Sequence, residues 1–131
     1  MRSVRIIARM RLPNQPPIHQ LFAVALVFFA FTTSALISRH VFERLPHLED
    51  EVAYLYQARI FARGEVTVDT PDPRRAYWQP FVVDYEGNRF GKYSPGWPAL
   101  LGLGVAMGQA WVINAFAAAL AVALTYRLGR E

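Results

Sequence analysis

The chain has 131 residues, no cysteine, and 53% hydrophobic residues beside 18% charged ones. The missing cysteines exclude a disulfide framework and a thiolate metal site, and a mean hydropathy of only +0.15 excludes a uniformly apolar bundle. A net charge of +4 raises nucleic acid as a partner, and the distribution of charge excludes it. Arg2, Arg5, Arg9 and Arg11 precede the first apolar run, Arg127 and Arg130 follow the last, and nine of the ten acids lie between Glu43 and Glu86. Basic ends around an acidic middle are the positive-inside pattern of a membrane protein.

Residues 1–17, basic and then proline-rich, read as a cytoplasmic tail. Leu21 to Ile37 carries no charge. Extended to 18–38, it reaches the minimum for a transmembrane helix, at ~1.5 Å per residue against ~30 Å of hydrocarbon. A signal peptide cut near Thr33-Ser34-Ala35 is the rival. The long proline-rich start and the apolar residues beyond that point argue against it.

The segment 39–94 reads as a periplasmic loop with structure of its own. Within it, residues 47–63 predict a helix lying on the membrane surface. Glu49, Asp50 and Glu51 stand at its start, Arg59 and Arg63 at its end, and Gly64 where a C-terminal cap belongs. Asp50, Tyr54, Gln57 and Phe61 form one stripe of this helix, at helical spacing. Glu65 to Asp69 alternates enough for a short strand, which Pro71 and Pro73 end. β-rich runs around Glu86-Gly87-Asn88 predict a hairpin over residues 81–93.

Residues 95–108 predict a short interfacial helix, with Gly108-Gln109 as a turn. Residues 109–127 predict a second transmembrane helix, with Trp111 and Tyr126 at interfacial levels. One continuous tilted helix from Pro98 is the alternative. Residues 128–131 read as the start of a cytoplasmic loop, and the whole as the N-terminal piece of a longer multi-pass protein. The expected fold is an all-α membrane protein: two transmembrane helices flanking a periplasmic loop that holds an interfacial helix and a small β-hairpin.

Three groups of residues are candidates for chemistry. Successive helical positions differ by 100°, so at most two of Glu49, Asp50 and Glu51 face a common site. A carboxylate in a membrane-adjacent cleft can serve as general base, or help hold a divalent metal beside a diphosphate. The plain alternative is that acids in a first helical turn stabilise it, by ~0.3–1 kcal/mol each. Lys92, with Arg74, Arg75 and Arg89 as possible helpers, can pair with a lipid-linked phosphate, or simply snorkel to the headgroups. Trp97 can stack on a sugar ring, although a belt tryptophan is commoner. Pro95-Gly96-Trp97-Pro98 reads as a rigid turn and helix start. Asp69, Asp72 and Asp84 read as solvated loop acids, and His19, His40 and His47 lack metal-ligand spacing. The glycines at 102, 104 and 108 form small-residue packing patterns.

Two blocks carry a resemblance: Asp50-Glu51-Val52-Ala53-Tyr54-Leu55-Tyr56-Gln57-Ala58-Arg59 with Gly64, and Gly91-Lys92-Tyr93-Ser94-Pro95-Gly96-Trp97-Pro98. Their order and spacing around two apolar runs resemble the N-terminal part of the GT-C glycosyltransferases. The nearest likeness is to bacterial relatives of protein O-mannosyltransferases and the lipid A aminoarabinose transferase. The resemblance implies a bacterial inner-membrane enzyme with further helices beyond this chain. Such an enzyme moves a sugar from a polyprenyl-phosphate donor to a lipid, glycan or protein acceptor at the periplasmic face. It implies Asp50 as the catalytic carboxylate, a general base or donor-orienting group, with Glu51 beside it, and Lys92 with Tyr93 at the donor phosphate. Tyr54 and Trp97 are candidate sugar or acceptor contacts. A divalent ion, Mg or Mn, is left open, with Asp50 and Glu51 as its ligands if there is one. The reading from another class is a non-catalytic two-span scaffold or assembly protein whose external loop binds a partner.

Overall fold

The computed structural model describes residues 17–130, so the expected basic tail lies, except for Pro17, outside the described residues. Four helices and three short strands follow in order: α1 Ile18–His40, α2 Glu49–Phe61, β1 Val68–Asp69, β2 Val82–Tyr85, β3 Asn88–Gly91, α3 Gly96–Ala106 and α4 Val112–Leu128. A single 3-10 turn, Arg74–Tyr77, stands between β1 and β2.

α1 is long enough and apolar enough to cross a membrane. Only Ala23 of it is buried within the protein. Phe22, Val24, Phe28 and Phe29 are each more than 60% exposed, so a shell of apolar side chains faces outward. α4 has 17 residues, or ~25 Å at ~1.5 Å each against a ~30 Å hydrocarbon core. One of the two expected spans therefore meets the length test and the other falls short. α4 begins later than expected because Gln109 to Trp111 belong to the turn that separates it from α3. The break excludes the continuous helix from Pro98. Gly108 takes φ +69° there, and the Gln109 N–H donates to the Gly104 carbonyl at 2.7 Å, which satisfies the helix end without a helical continuation.

α1 and α4 run antiparallel. Phe31 meets Phe116 edge-on at 5.0 Å, and His19 approaches Tyr126 near the opposite ends, at 6.5 Å. Ala115 is fully buried at this contact, in keeping with the small residues that let apolar helices approach closely. The second packing unit is α2 on α3. A Cβ at Gly102 would meet the Ala58 carbonyl at 3.2 Å and the Phe61 Cβ at 3.3 Å. Hydrogen at this position is what brings α3 down onto α2.

The helix predicted over 47–63 is shorter at both ends, because Pro46 to Leu48 are not helical. The glycine stop is as read, although α2 itself ends at Phe61: Gly64 has φ +78°, and the Glu65 N–H returns to the Ile60 carbonyl at 3.3 Å. The stripe read from spacing is its docking face. Tyr54 lies against Tyr93, the buried Gln57 binds β3, and Phe61 meets α3.

The hairpin is one half of a three-stranded antiparallel sheet in the order β1-β3-β2. β1 is shorter than the predicted strand and pairs with β3 on the side away from β2. The turn between β2 and β3 has two residues, Glu86 and Gly87, both at positive φ (49° and 78°), as two-residue hairpin turns require. That turn sets Asp84 opposite Arg89. The fold is thus mainly helical, with one candidate membrane span and a small sheet.

Candidate functional site

The acidic start of α2 divides its labour. Glu51 is the capping residue: its Oε2 accepts the backbone N–H groups of His47 at 2.7 Å and Leu48 at 3.4 Å, relieving donors left open at a helix start. Asp50 turns the other way and accepts a 2.6 Å hydrogen bond from the Tyr93 hydroxyl. The hydrogen bond to Asp50, with lesser help from desolvation, pushes the Tyr93 phenol up to about 12. Tyr93 also packs against Tyr54 at 4.7 Å and Phe81 at 5.6 Å. Asp50, Tyr54 and Tyr93 therefore form one cluster across 43 residues of sequence.

A cavity of about 740 Å³ opens beside this cluster, within the range of small-molecule sites. Phe29, Thr33 and Ile37 of α1 line one wall, with Trp111 and Asn114 opposite. Glu51 and Tyr54 of α2 and Trp97 at the start of α3 line the rest of its polar side. Tyr54 belongs to both cavity and cluster. Of the residues singled out from sequence, Glu51, Tyr54 and Trp97 line the cavity, whereas Asp50, Lys92 and Tyr93 do not. Lys92 is exposed, with its Nζ 4.2 Å above the Phe81 ring and 5.4 Å from the Tyr93 ring. Neither of the two expected phosphate contacts points at the cavity.

Among the described residues no group of three or more His, Asp or Glu side chains is placed to hold a metal ion. Asp50 and Glu51 offer two carboxylates, one bonded to a phenol and one to backbone N–H groups. A divalent ion held by this pair would complete its oxygen shell with water and phosphate.

Two further groups were read from sequence as available and are engaged. Asp84 is not a solvated loop acid. Its side chain is 12% exposed and lies 3.1 Å from the Arg74 Nε and 3.5 Å from the Arg89 Nη1. It also accepts the Thr70 hydroxyl at 3.3 Å. Arg89 is 4% exposed. It donates to the Tyr77 carbonyl, and its guanidinium lies 5.9 Å from the centre of the Tyr56 ring. Burial raises the Tyr56 phenol, and Arg89 partly opposes that rise. Arg89 is thus committed to the loop's own interior, and Arg74, although exposed, is paired with Asp84. Gln57, also 4% exposed, donates to the Val66 carbonyl at 2.9 Å and accepts the Gly91 N–H at 2.7 Å. It ties α2 to both sides of the sheet region.

Sequence reasoning missed Arg44, Trp111 and Asn114 as cavity residues. Trp111 was read as a residue at the membrane interface. Their convergence depends on how α1 and α4 pack, which no local pattern carries.

Comparison with known protein families, with characterised proteins and with solved structures finds no match to this chain.

Proposed function

We propose that this chain is the donor-handling part of a membrane glycosyltransferase of the GT-C type. It would use a polyprenyl-phosphate sugar and work at the outer face of a bacterial inner membrane. One observation carries the proposal. The acidic start of α2 stands where two apolar helices meet a polar, ordered loop, beside a cavity large enough for a sugar with part of a lipid. Outward apolar side chains on α1 and α4 supply the membrane face, Phe28 at 71% and Leu120 at 59% exposure among them. In this reading α4 also spans, tilted little and helped by local thinning of the bilayer. Both chain ends then lie on the cytoplasmic side, and the further helices implied by the family resemblance complete the enzyme.

The chemistry assigned to Asp50 is general base catalysis. Asp50 stands outside the cavity lining, so in this reading the acceptor hydroxyl meets it on the Tyr54 side that cavity and cluster share; its Oδ1 is held by Tyr93, which leaves Oδ2 to take the proton. The acceptor oxygen forms a bond to the anomeric carbon. The bond from that carbon to the phosphate oxygen breaks, and polyprenyl phosphate leaves with the electron pair. Glu51 lines the donor cavity, and Tyr54 and Trp97 offer ring faces to the sugar.

A non-catalytic scaffold is the second reading, and one observation favours it. Glu51 has a complete structural role as a cap, and Asp50 a hydrogen-bonded one. The two readings part on turnover. Membranes containing the intact protein are given labelled polyprenyl-phosphate hexoses and pentoses, and loss of label from the donor is measured. Asp50→Asn abolishes transfer in the enzyme reading, with the protein still inserted. Undiminished transfer by the variant removes Asp50 from the mechanism, and no transfer by the native protein from any donor supports the scaffold.

A further inference from the structure

We infer that Arg44, and not Lys92, is the residue that receives the phosphate of an anionic amphiphile in the cavity between α1 and α4. The ligand class is a phosphate monoester or diester on a long apolar chain. That class rests on the glycosyltransferase reading, whereas the contact itself rests on the cavity.

Among the described residues that line the cavity, Arg44 is the only cation and Glu51 the only anion. The Glu51 carboxylate is turned onto the N–H groups of His47 and Leu48, so it is already neutralised in part by the start of α2. Among the described residues, no carboxylate lies within ion-pair distance of Arg44. Its guanidinium sits 5.3 Å from the centre of the Trp111 ring, an arrangement that leaves guanidinium edge N–H groups free for a planar two-point contact with phosphate. The backbone holds it there. Glu43 and Arg44 both take positive φ, 50° and 63°, a conformation L residues rarely adopt and one concentrated at functional positions. The Arg44 N–H closes this turn on the Ser38 carbonyl at 2.8 Å. The walls beyond are apolar, with Phe29, Ile37, Leu55 and Leu101 among them. A charged head with an apolar tail fits such a lining. Lys92 is absent from the lining and rests over Phe81.

The test uses tryptophan emission, which needs no turnover. Two of the three tryptophans, Trp97 and Trp111, line the cavity. Trp78 is 76% exposed outside it, and Trp78→Phe removes its background. The full chain in nanodiscs of neutral lipid is titrated with farnesyl phosphate, farnesol and inorganic phosphate. The expected result is a saturable change with farnesyl phosphate, at a concentration at least about tenfold below that for farnesol, as one charge-assisted contact gives. Inorganic phosphate alone produces none. Arg44→Gln brings farnesyl phosphate to the level of farnesol, Arg44→Lys keeps part of the discrimination, and Lys92→Gln changes it less than twofold. Competition by phosphatidate equal to that by farnesyl phosphate upholds the Arg44 contact and assigns it to ordinary membrane lipid, against the donor reading. Equal response of the native protein to phosphate and alcohol overturns the proposal, as does loss of discrimination in Lys92→Gln with none in Arg44→Gln. Failure of sugar transfer alone leaves the binding result standing, so the two readings fail separately.

Discussion

Replacing Asp84 by alanine should open the small sheet, and the two arginines on that carboxylate fix how far. The Arg74 side chain is 65% exposed and that of Arg89 5%. An exposed ion pair contributes ~0–1 kcal/mol, because water screens it and ordering a long side chain opposes it. Stranding a buried charge by removing its partner costs ~3–5 kcal/mol. Arg74→Ala and Asp84→Ala delete the same 3.1 Å contact, but only the second strands Arg89. The readout is hydrogen exchange at the β2 and β3 amides of the protein in nanodiscs. Exchange there should quicken at least ~100-fold in Asp84→Ala, for a loss near ~3 kcal/mol at ~1.4 kcal/mol per tenfold. In Arg74→Ala it should quicken less than ~5-fold. The double variant Asp84→Leu with Arg89→Met removes the buried charge together with its partner and should recover most of the protection, since an apolar pair in place of a buried ion pair is often neutral or better. Equal effects of Asp84→Ala and Arg74→Ala would refute the burial argument. Failure of the double variant to recover would place the cost elsewhere, in Thr70 or in the Arg89 bond to Tyr77.

Tyrosine titration tests the Asp50 cluster. Of six tyrosines, Tyr93, shifted from 10.0 to about 12, should ionise late, and Tyr56 is also raised by burial. Because the folded value for Tyr93 is raised, the contribution of its hydrogen bond is intact below pH 10 and is lost as pH rises from 10 towards 12. Ultraviolet absorbance of tyrosinate should show the late phase shrink in Tyr93→Phe, and a variant that keeps the full late phase would dissociate Tyr93 from Asp50. The glycines of α3 should rank by the space beside them. A Cβ at Gly104 would meet the Ile113 Cγ1 at 2.6 Å and the Ala110 Cα at 2.9 Å, against nearest contacts of 3.2 and 3.3 Å at Gly102. Gly104→Ala should therefore lower thermal stability by an overpacking cost of ~1–3 kcal/mol, and Gly102→Ala by clearly less. The reverse order would mean that the α3–α4 turn yields more easily than the α2–α3 contact.

The parts legible in the sequence were those set by local periodicity and caps. The uncharged run through Phe28 and Phe29, the acids and basic residues at the ends of α2, and Gly64 just past its end each have a local physical cause. The stripe of Asp50, Tyr54, Gln57 and Phe61 was visible as a face, although not what it docks against. A single residue hid the Asp84–Arg89 pair. Reading the hairpin turn as Glu86-Gly87-Asn88 would set Tyr85 across from Arg89, whereas the two-residue turn Glu86-Gly87 places Asp84 there, since each step of register moves every side chain. The strand over Glu65 to Asp69 was legible and β1 is its Val68–Asp69 end, but its pairing to a strand 20 positions later has no local signal. The cavity depends on α1, α2, α3 and α4 together, so Arg44 and Trp111 could be read only as residues at the ends of apolar segments. Asp50 and Tyr93 were singled out separately, and only the folded chain makes them partners.

The functional reading depends on one placement: the loop over residues 39–94 on the opposite side of a membrane from Arg127 and Arg130. The chain has no cysteine, so single cysteines report on sidedness without background. Arg75 is exposed in the loop. Gly129 has ordinary φ, and a Cβ there would come no nearer than 3.5 Å to its surroundings, at the Thr125 carbonyl. With a membrane-impermeant maleimide on intact inner-membrane spheroplasts, the account predicts that Arg75→Cys is labelled at once and Gly129→Cys only after permeabilisation. Labelling of both from outside, or of neither, would mean that α4 does not cross, and the assignment of an external donor site would fall with it.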